Sequence, residues 1–157
     1  MDAQAALALR RLLDTRPVGA LATLHRGEPA VSMVPFVLAA DGLQCFIHVS
    51  TLATHTRDMQ LHPRVGLLVM AETDAAVSPQ ALPRVALQAD AVFLVRDSDL
   101  YTVASAAYLQ RFPAAAPTFE LADFSMLALQ PVSARLVAGF GSAHSLVGEA
   151  LAAWLCG

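Results

Sequence analysis

Residues 48 to 57 read HVSTLATHTR: four hydroxyl side chains, two histidines and an arginine in ten positions. An apolar, strand-like run (LQCFI) precedes them, and a helix-like run that stops at Pro63 follows. The stretch is therefore a strand-to-helix junction. A helix N-terminus exposes backbone N–H groups without intrahelical partners and carries partial positive charge, which makes it a ready phosphate site. Ser50, Thr51, Thr54 and Thr56 can add hydroxyl donors there, and His55 and Arg57 charge-assisted ones. The same residues also serve a plainer purpose, with Ser50 or Thr51 as helix cap and His55 and Arg57 on the surface. Spacing leaves both readings open.

His48, His55 and His62 recur every seven residues. Seven helical residues rise ~10 Å, too far for one metal ion, and His48 falls on a strand. No metal site is expected. Cys45 and Cys156 form no CxxC pair or ligand cluster and read as plain thiols. Nucleophile elbows, P-loops and dinucleotide fingerprints are absent, and no paired carboxylates stand out.

The elements that must position the junction follow from periodicity. A helix is expected over residues 3–14, ended by Pro17. Next come three sequential antiparallel strands, with turns at RGEP and at ADG (Asp41–Gly42). A helix is expected over 51–61, capped by Ser50 or Thr51 and ended by Pro63. RVGLLVMAE is a fourth strand, residues 73–83 a loop, and RVALQADAVFLV a fifth strand. DSDLYTVASAAYLQRFP starts on capping residues and reads as a helix, followed by a linker. Residues 124–141 give a sixth and a seventh strand separated at Gln130–Pro131, and the tail AHSLVGEALAAWLCG is a last helix. The expected fold is mainly β with helices (α+β), a six- to seven-stranded antiparallel barrel with peripheral helices in a single domain, 1–157.

Composition narrows the function. The chain has 157 residues, 56% hydrophobic, with mean hydropathy +0.53. A membrane helix needs roughly 20 uninterrupted apolar residues, and every run here is broken sooner. The first residues lack the basic-then-apolar order of a signal peptide, so a cytoplasmic protein without membrane association is expected. The surplus apolar surface is most simply buried against a second copy. A net charge of −3, with ten dispersed arginines and no lysine, gives no basic face for nucleic acid.

The order of elements and the residues together carry a resemblance. GALATLHRGEPAVSMVPFVLAADGLQCFIHVSTLATHTRDMQLHPRVGLLV resembles the FMN-binding split-barrel, pyridoxamine 5'-phosphate oxidase-like superfamily. The pattern P-x-x-S-x-V-P-F, then DG, then H-x-S-x-L-A-x-H-T, then PR-V-x-L-L is most similar to its haem-utilisation subgroup. YLQRFP, DFSMLALQP and ARLVAGFGSA extend the likeness from Gly19 to Ala143. It implies a homodimer with FMN between subunits. The phosphate would lie near Ser50, Leu52, His55 and Thr56. Ser32, Met33, Val34 and Pro35 would lie beside the ring or ribityl chain, with His48 at the same strand edge.

The chain departs from that pattern. Flavin-binding members place Arg or Lys in an SRK-like triplet where ATH or THT stands here, and an Arg that often opens the flavin strand is replaced by Val31–Ser32. Two cations exchanged for hydroxyls could forfeit ~1.5–3 kcal/mol of charge-assisted bonding each. The arginine–histidine pair that binds pyridoxamine phosphate in the true oxidases has no counterpart, so that activity is not expected. The second, C-terminal domain of haem-utilisation relatives is also expected to be lacking.

Three functions follow. The first is an FMN-dependent oxidoreductase of unknown substrate, in which the cofactor supplies the chemistry. The second is a non-catalytic split-barrel module for haem or flavin, with His25, His48, His55, His62 and His144 as candidate iron ligands. The third is a dimeric structural protein without a ligand.

Overall fold

The computed structural model describes residues 2–156. Helix α1 (Ala3–Thr15) starts where the Asp2 carboxylate accepts from the Ala5 N–H at 2.7 Å, and it buries Leu9 and Leu13. Strands β1 (Val18–His25) and β2 (Glu28–Pro35) form a hairpin over the two-residue turn Arg26–Gly27. Both turn residues have positive φ (54° and 85°), the backbone that suits a twisted hairpin.

Then follow β3 (Val37–Leu38), β4 (Cys45–Ser50), α2 (Thr54–Leu61), β5 (Arg64–Met70), β6 (Arg84–Phe93) and α3 (Asp99–Arg111). A one-turn helix α4 (Ala116–Phe119), long β7 (Phe124–Gly139), β8 (Ser142–Val147) and α5 (Gly148–Cys156) complete the chain.

The sheet order is β2-β1-β5-β6-β7-β4-β3, with β8 on β7, and every pairing is antiparallel. Only Phe36 separates β2 from β3. The run 28–38 therefore pairs with β1 through its first part and with β4 through its last, joining the two ends of the sheet into a barrel. This differs from three strands paired in sequence. The Asp41–Gly42 turn does make a hairpin, but its first arm is the two-residue β3.

Inward side chains fill the barrel: Leu21, Val34, Ile47, Leu67, Val85 and Leu136 are each at most 2% exposed. Leu9 and Leu13 of α1 and Leu151 and Leu155 of α5 join that core. Each such burial is worth roughly 1.5–3 kcal/mol. A second apolar cluster lies on the other face of β4 and β7, where Phe46, Met126 and Ala128 meet Ala104 and Tyr108 of α3.

The α+β split barrel is as expected, and its sheet has eight strands among the described residues. Gln130–Pro131 does not divide two strands. β7 runs through it, and the register with β6 shifts there: Ser133 faces Gln88 while Pro131 faces Ala89. Val132 is the extra residue of a bulge, which accommodates a proline that has no N–H for the ladder. The expected tail helix begins only at Gly148, because residues 142–147 alternate in burial and pair with β7 as β8. The 114–123 linker contains α4, and the 73–83 loop contains a 3-10 turn at Pro79–Ala81. Among the described residues, no helix is long and apolar enough to cross a membrane.

Candidate functional site

The junction after β4 is tied internally. Helix α2 starts at Thr54, three residues later than expected, with Ala53 as N-cap and no side-chain cap bond. The Ser50 hydroxyl donates to Asp123 Oδ2 at 2.8 Å and accepts from the Leu52 N–H at 3.1 Å. The Thr51 N–H reaches the Asp123 carbonyl at 2.6 Å. Thr56 is fully buried and donates to the Ser50 carbonyl at 2.7 Å. Ser50 and Thr56 thus hold the loop, and neither caps the helix. Burial lowers the pKa of His55, against the pull of Asp58. Leu52 is exposed. A phosphate at Ser50 would face the Asp123 carboxylate and would find the two nearest hydroxyl hydrogens already donated. Ser50 and Thr56 themselves thus offer a phosphate no free hydroxyl hydrogen.

His48 lies at the end of β4, 7% exposed. Phe119 of α4 stacks on its ring at a centroid distance of 3.9 Å, Tyr108 meets it edge-on at 5.7 Å and Phe124 lies at 5.0 Å. Its Nδ1 is 3.3 Å from Thr118 Oγ1. Burial pushes the imidazole down to about 4 from an ordinary 6.5, with Arg96 adding to the effect. His48 is a neutral member of an aromatic cluster.

The expected flavin strand splits by side. Ser32 stands opposite Leu21 of β1, which points into the barrel, whereas Met33 stands opposite Ala20, which lines the outer face. Val34 is 2% exposed in the core. Met33 is 63% exposed, and Pro35 is half-buried at the bend into β3. The Ser32 hydroxyl is buried without a hydrogen-bond partner. The structure brings Ser50 and Thr56 together and places Met33 apart on the outer face.

Two arrangements had no signal in the sequence. The first is a groove of about 550 Å3 on the outer face of the sheet. Its floor is made of small residues, Ala20, Ala22, Gly66 and Ala86, between Val31 on one side and Arg135 and Val147 on the other. Val31 is 73% and Val147 64% exposed. Alternation along each strand could have shown the small outward residues, but only sheet order places them side by side.

The second joins α2 to β1. The Asp58 carboxylate, 5% exposed, receives the Thr23 hydroxyl at 3.0 Å on Oδ2 and lies 2.8 Å from His25 Nδ1 on Oδ1. The hydrogen bond from His25 leads in holding the Asp58 carboxyl below the usual carboxylate range, opposed by its burial. An ionised carboxylate only accepts, so Nδ1 carries the hydrogen and, in the neutral ring, the lone pair sits on Nε2. His25 and Asp58 are 33 residues apart, beyond the reach of any local pattern. No group of three or more His, Cys, Asp or Glu positioned to hold a metal ion occurs among the described residues.

Comparison with known proteins agrees with the barrel. The family described as pyridoxamine 5'-phosphate oxidase matches residues 6–138. The chain belongs to this family of split barrels. It is 32% identical over 133 residues to the heme oxygenase HutZ of Vibrio cholerae, covering 83% of this chain and 74% of HutZ. It is 34% identical over 144 residues to the non-canonical heme oxygenase HOZ of Arabidopsis thaliana chloroplasts, covering 90% of this chain and 42% of HOZ. A heme-binding protein of Mycobacterium smegmatis superposes with a TM-score of 0.84 at 32% identity, covering 98% of this chain and 62% of the other. The chain thus spans less than two thirds of HOZ and of the mycobacterial protein.

Proposed function

We propose that this domain binds haem, as a homodimer. The observation that carries the reading is the filled junction: Ser50 is bonded to Asp123 and Thr56 to the Ser50 carbonyl. The phosphate cradle that FMN needs is thereby weakened, whereas haem carries no phosphate. Likeness to two heme oxygenases and a heme-binding protein supports the same choice. The outer groove supplies the dimer seam in this reading, since its exposed Val31 and Val147, with Met33 beside it on the same face of β2, form an apolar face bordered by Arg135. The protein's part is to seat and orient the macrocycle and to exclude water, while a bound haem supplies the iron chemistry.

FMN is the second reading, favoured by the unpartnered, buried hydroxyl of Ser32 on the strand the family likeness assigns to flavin. Titration of the purified chain with hemin and, separately, with FMN decides between them. A Soret band that saturates at one haem per chain, with free FMN removed by gel filtration, is the expected result. Retained flavin and unbound hemin would reverse the assignment.

A further inference from the structure

We infer that Phe140, at the tip of the β7–β8 hairpin, docks in a cavity beside Met33 on a second copy of this chain, and that the reciprocal contact locks the dimer. The inference rests on the homodimer of the reading above. It adds the side chain that fastens the two copies and the axis that relates them.

Phe140 is the most exposed large apolar side chain among the described residues, at 82%. Gly139 pairs with Ser142, so β7 and β8 are joined by the two-residue turn Phe140–Gly141. A Cβ built on Gly139 or Gly141 would meet nothing within 4 Å, so the tip stands clear of the rest of the chain. From Ala138 to Ala143 no residue carries a charge. A bare aromatic ring on an uncharged tip suits an interface anchor, since a few buried aromatics carry most of the energy of such contacts.

A receiving site lies on the same sheet, on the other side of the groove. Val18, Met33, Leu68 and Met70 line a cavity of about 570 Å3, together with Arg16 and Glu72, which pair with each other at 2.5 Å. Its two charges thus answer one another, and the exposed thioethers of Met33 and Met70 offer sulfur to an aromatic ring. Ala20 and Leu68 line both this cavity and the groove, so the two are continuous. Phe140 does not line the cavity of its own chain.

Register decides how two copies meet. Met33 faces Ala20, Ala20 faces Leu68, Met70 faces Arg84 and Arg84 faces Val137. The cavity and the hairpin tip therefore share one end of the sheet. A closed dimer that joins this face to itself has its two-fold axis in the plane of the sheet. With the axis along the strands, ends coincide and sides exchange, so each tip lies over the other copy's cavity. With the axis across the strands, each tip lies instead at the far end of the other copy's β8, near its Val147. Only the first arrangement fills both cavities.

A tip left to solvent would show the same exposure, so the test reads the assembly. Cys156→Ser first removes the exposed native thiol. In that background Phe140→Cys is combined with Met33→Cys and, separately, with Val147→Cys, and each pair is mildly oxidised. The pair with Met33 is expected to run as a covalent dimer under denaturing, non-reducing conditions, and the pair with Val147 as a monomer. Phe140→Ala is expected to raise the dimer dissociation constant about 100-fold, roughly 10-fold for each of the two rings lost. Sedimentation velocity over a dilution series measures it, with circular dichroism unchanged. A dimer that cross-links through Val147 or through neither pair, or whose dissociation constant is unmoved in Phe140→Ala, would overturn the docking of Phe140 and leave the homodimer standing. A wild-type chain that is a monomer would overturn both.

Discussion

The Thr118 hydroxyl lies 3.3 Å from His48 Nδ1 and also donates to the Ala115 carbonyl at 2.7 Å. A hydroxyl has one hydrogen, and the shorter contact takes it. Thr118 must therefore accept from His48, which places the ring hydrogen on Nδ1 and leaves Nε2 as the acceptor. The short helix α4 thus sets the tautomer of a residue 70 positions away in the chain.

A pH dependence follows from this neutral ring. In the unfolded chain His48 takes up a proton near 6.5, but in the fold only near 4. Between those values the unfolded state binds more protons, so stability falls as the pH falls. The contribution is complete above about 6.5 and is lost by about 4. Its size is roughly 1–2 kcal/mol after allowance for partial solvent screening. Urea melts of the wild type and of His48→Gln from pH 7.5 to pH 4 measure it. The variant is expected to lose less stability over that range, and parallel curves would contradict the neutral assignment.

Thr56 gives a second test, because its role is structural. Its hydroxyl is fully buried and donates to the Ser50 carbonyl. Thr56→Val keeps the shape and removes that bond, leaving the Ser50 carbonyl with only the Ala53 N–H at 3.1 Å, at a cost of about 1 kcal/mol. Thr54→Val, at an exposed position on the same turn, should cost little. Denaturant midpoints compare the two, and equal losses would mean that the buried bond contributes nothing particular.

These residues also show what a sequence can and cannot disclose. Alternation exposed β5, whose Val65, Leu67 and Val69 point inward, and the Ser98 cap announced α3. The Asp41–Gly42 turn was legible because positive φ selects glycine. Pro131 misled because a proline argues against a continuing strand, and the bulge at Val132 is a matter of pairing with β6. Ser50 and Thr56 were recognised as a cluster, but their partners were not. Asp123 reaches Ser50 from 73 residues away, a contact that no local pattern discloses. His25 was one of five equivalent histidines until the fold set Asp58 behind it.

The outer groove makes a prediction about assembly. Ala22 and Gly66 are neighbours on its floor, where a Cβ built on Gly66 would lie 3.5 Å from the Ala22 Cβ in open, ordinary contact. Arginine at either position is accommodated by the monomer, which leaves that face to solvent. In a dimer joined through the groove it would bury an unpaired charge, which is strongly unfavourable. Ala22→Arg is therefore expected to halve the mass measured by light scattering, with the circular dichroism unchanged. A wild-type monomer, or a variant that remains dimeric, would place the seam elsewhere or remove it.

Two glycines with similar backbones should respond very differently to alanine. Gly27 and Gly42 have φ of 85° and 75°, a region that costs an L-residue about 1–2 kcal/mol. Around Gly27 there is open space, so Gly27→Ala should lose only that amount. A Cβ on Gly42 would overlap the Leu155 carbonyl oxygen and lie 2.7 Å from Arg10 Nη2. That carbonyl accepts from Arg10 Nε at 2.7 Å, a bond that links α1 to α5 alongside the one from Trp154 Nε1 to the Ala6 carbonyl. Gly42→Ala must move the end of α5 or break this link, adding an overpacking cost of ~1–3 kcal/mol. Thermal melts of the two variants should therefore separate, with Gly42→Ala the lower. Equal shifts would show that α5 yields freely at Leu155 and that its docking on α1 contributes little to stability.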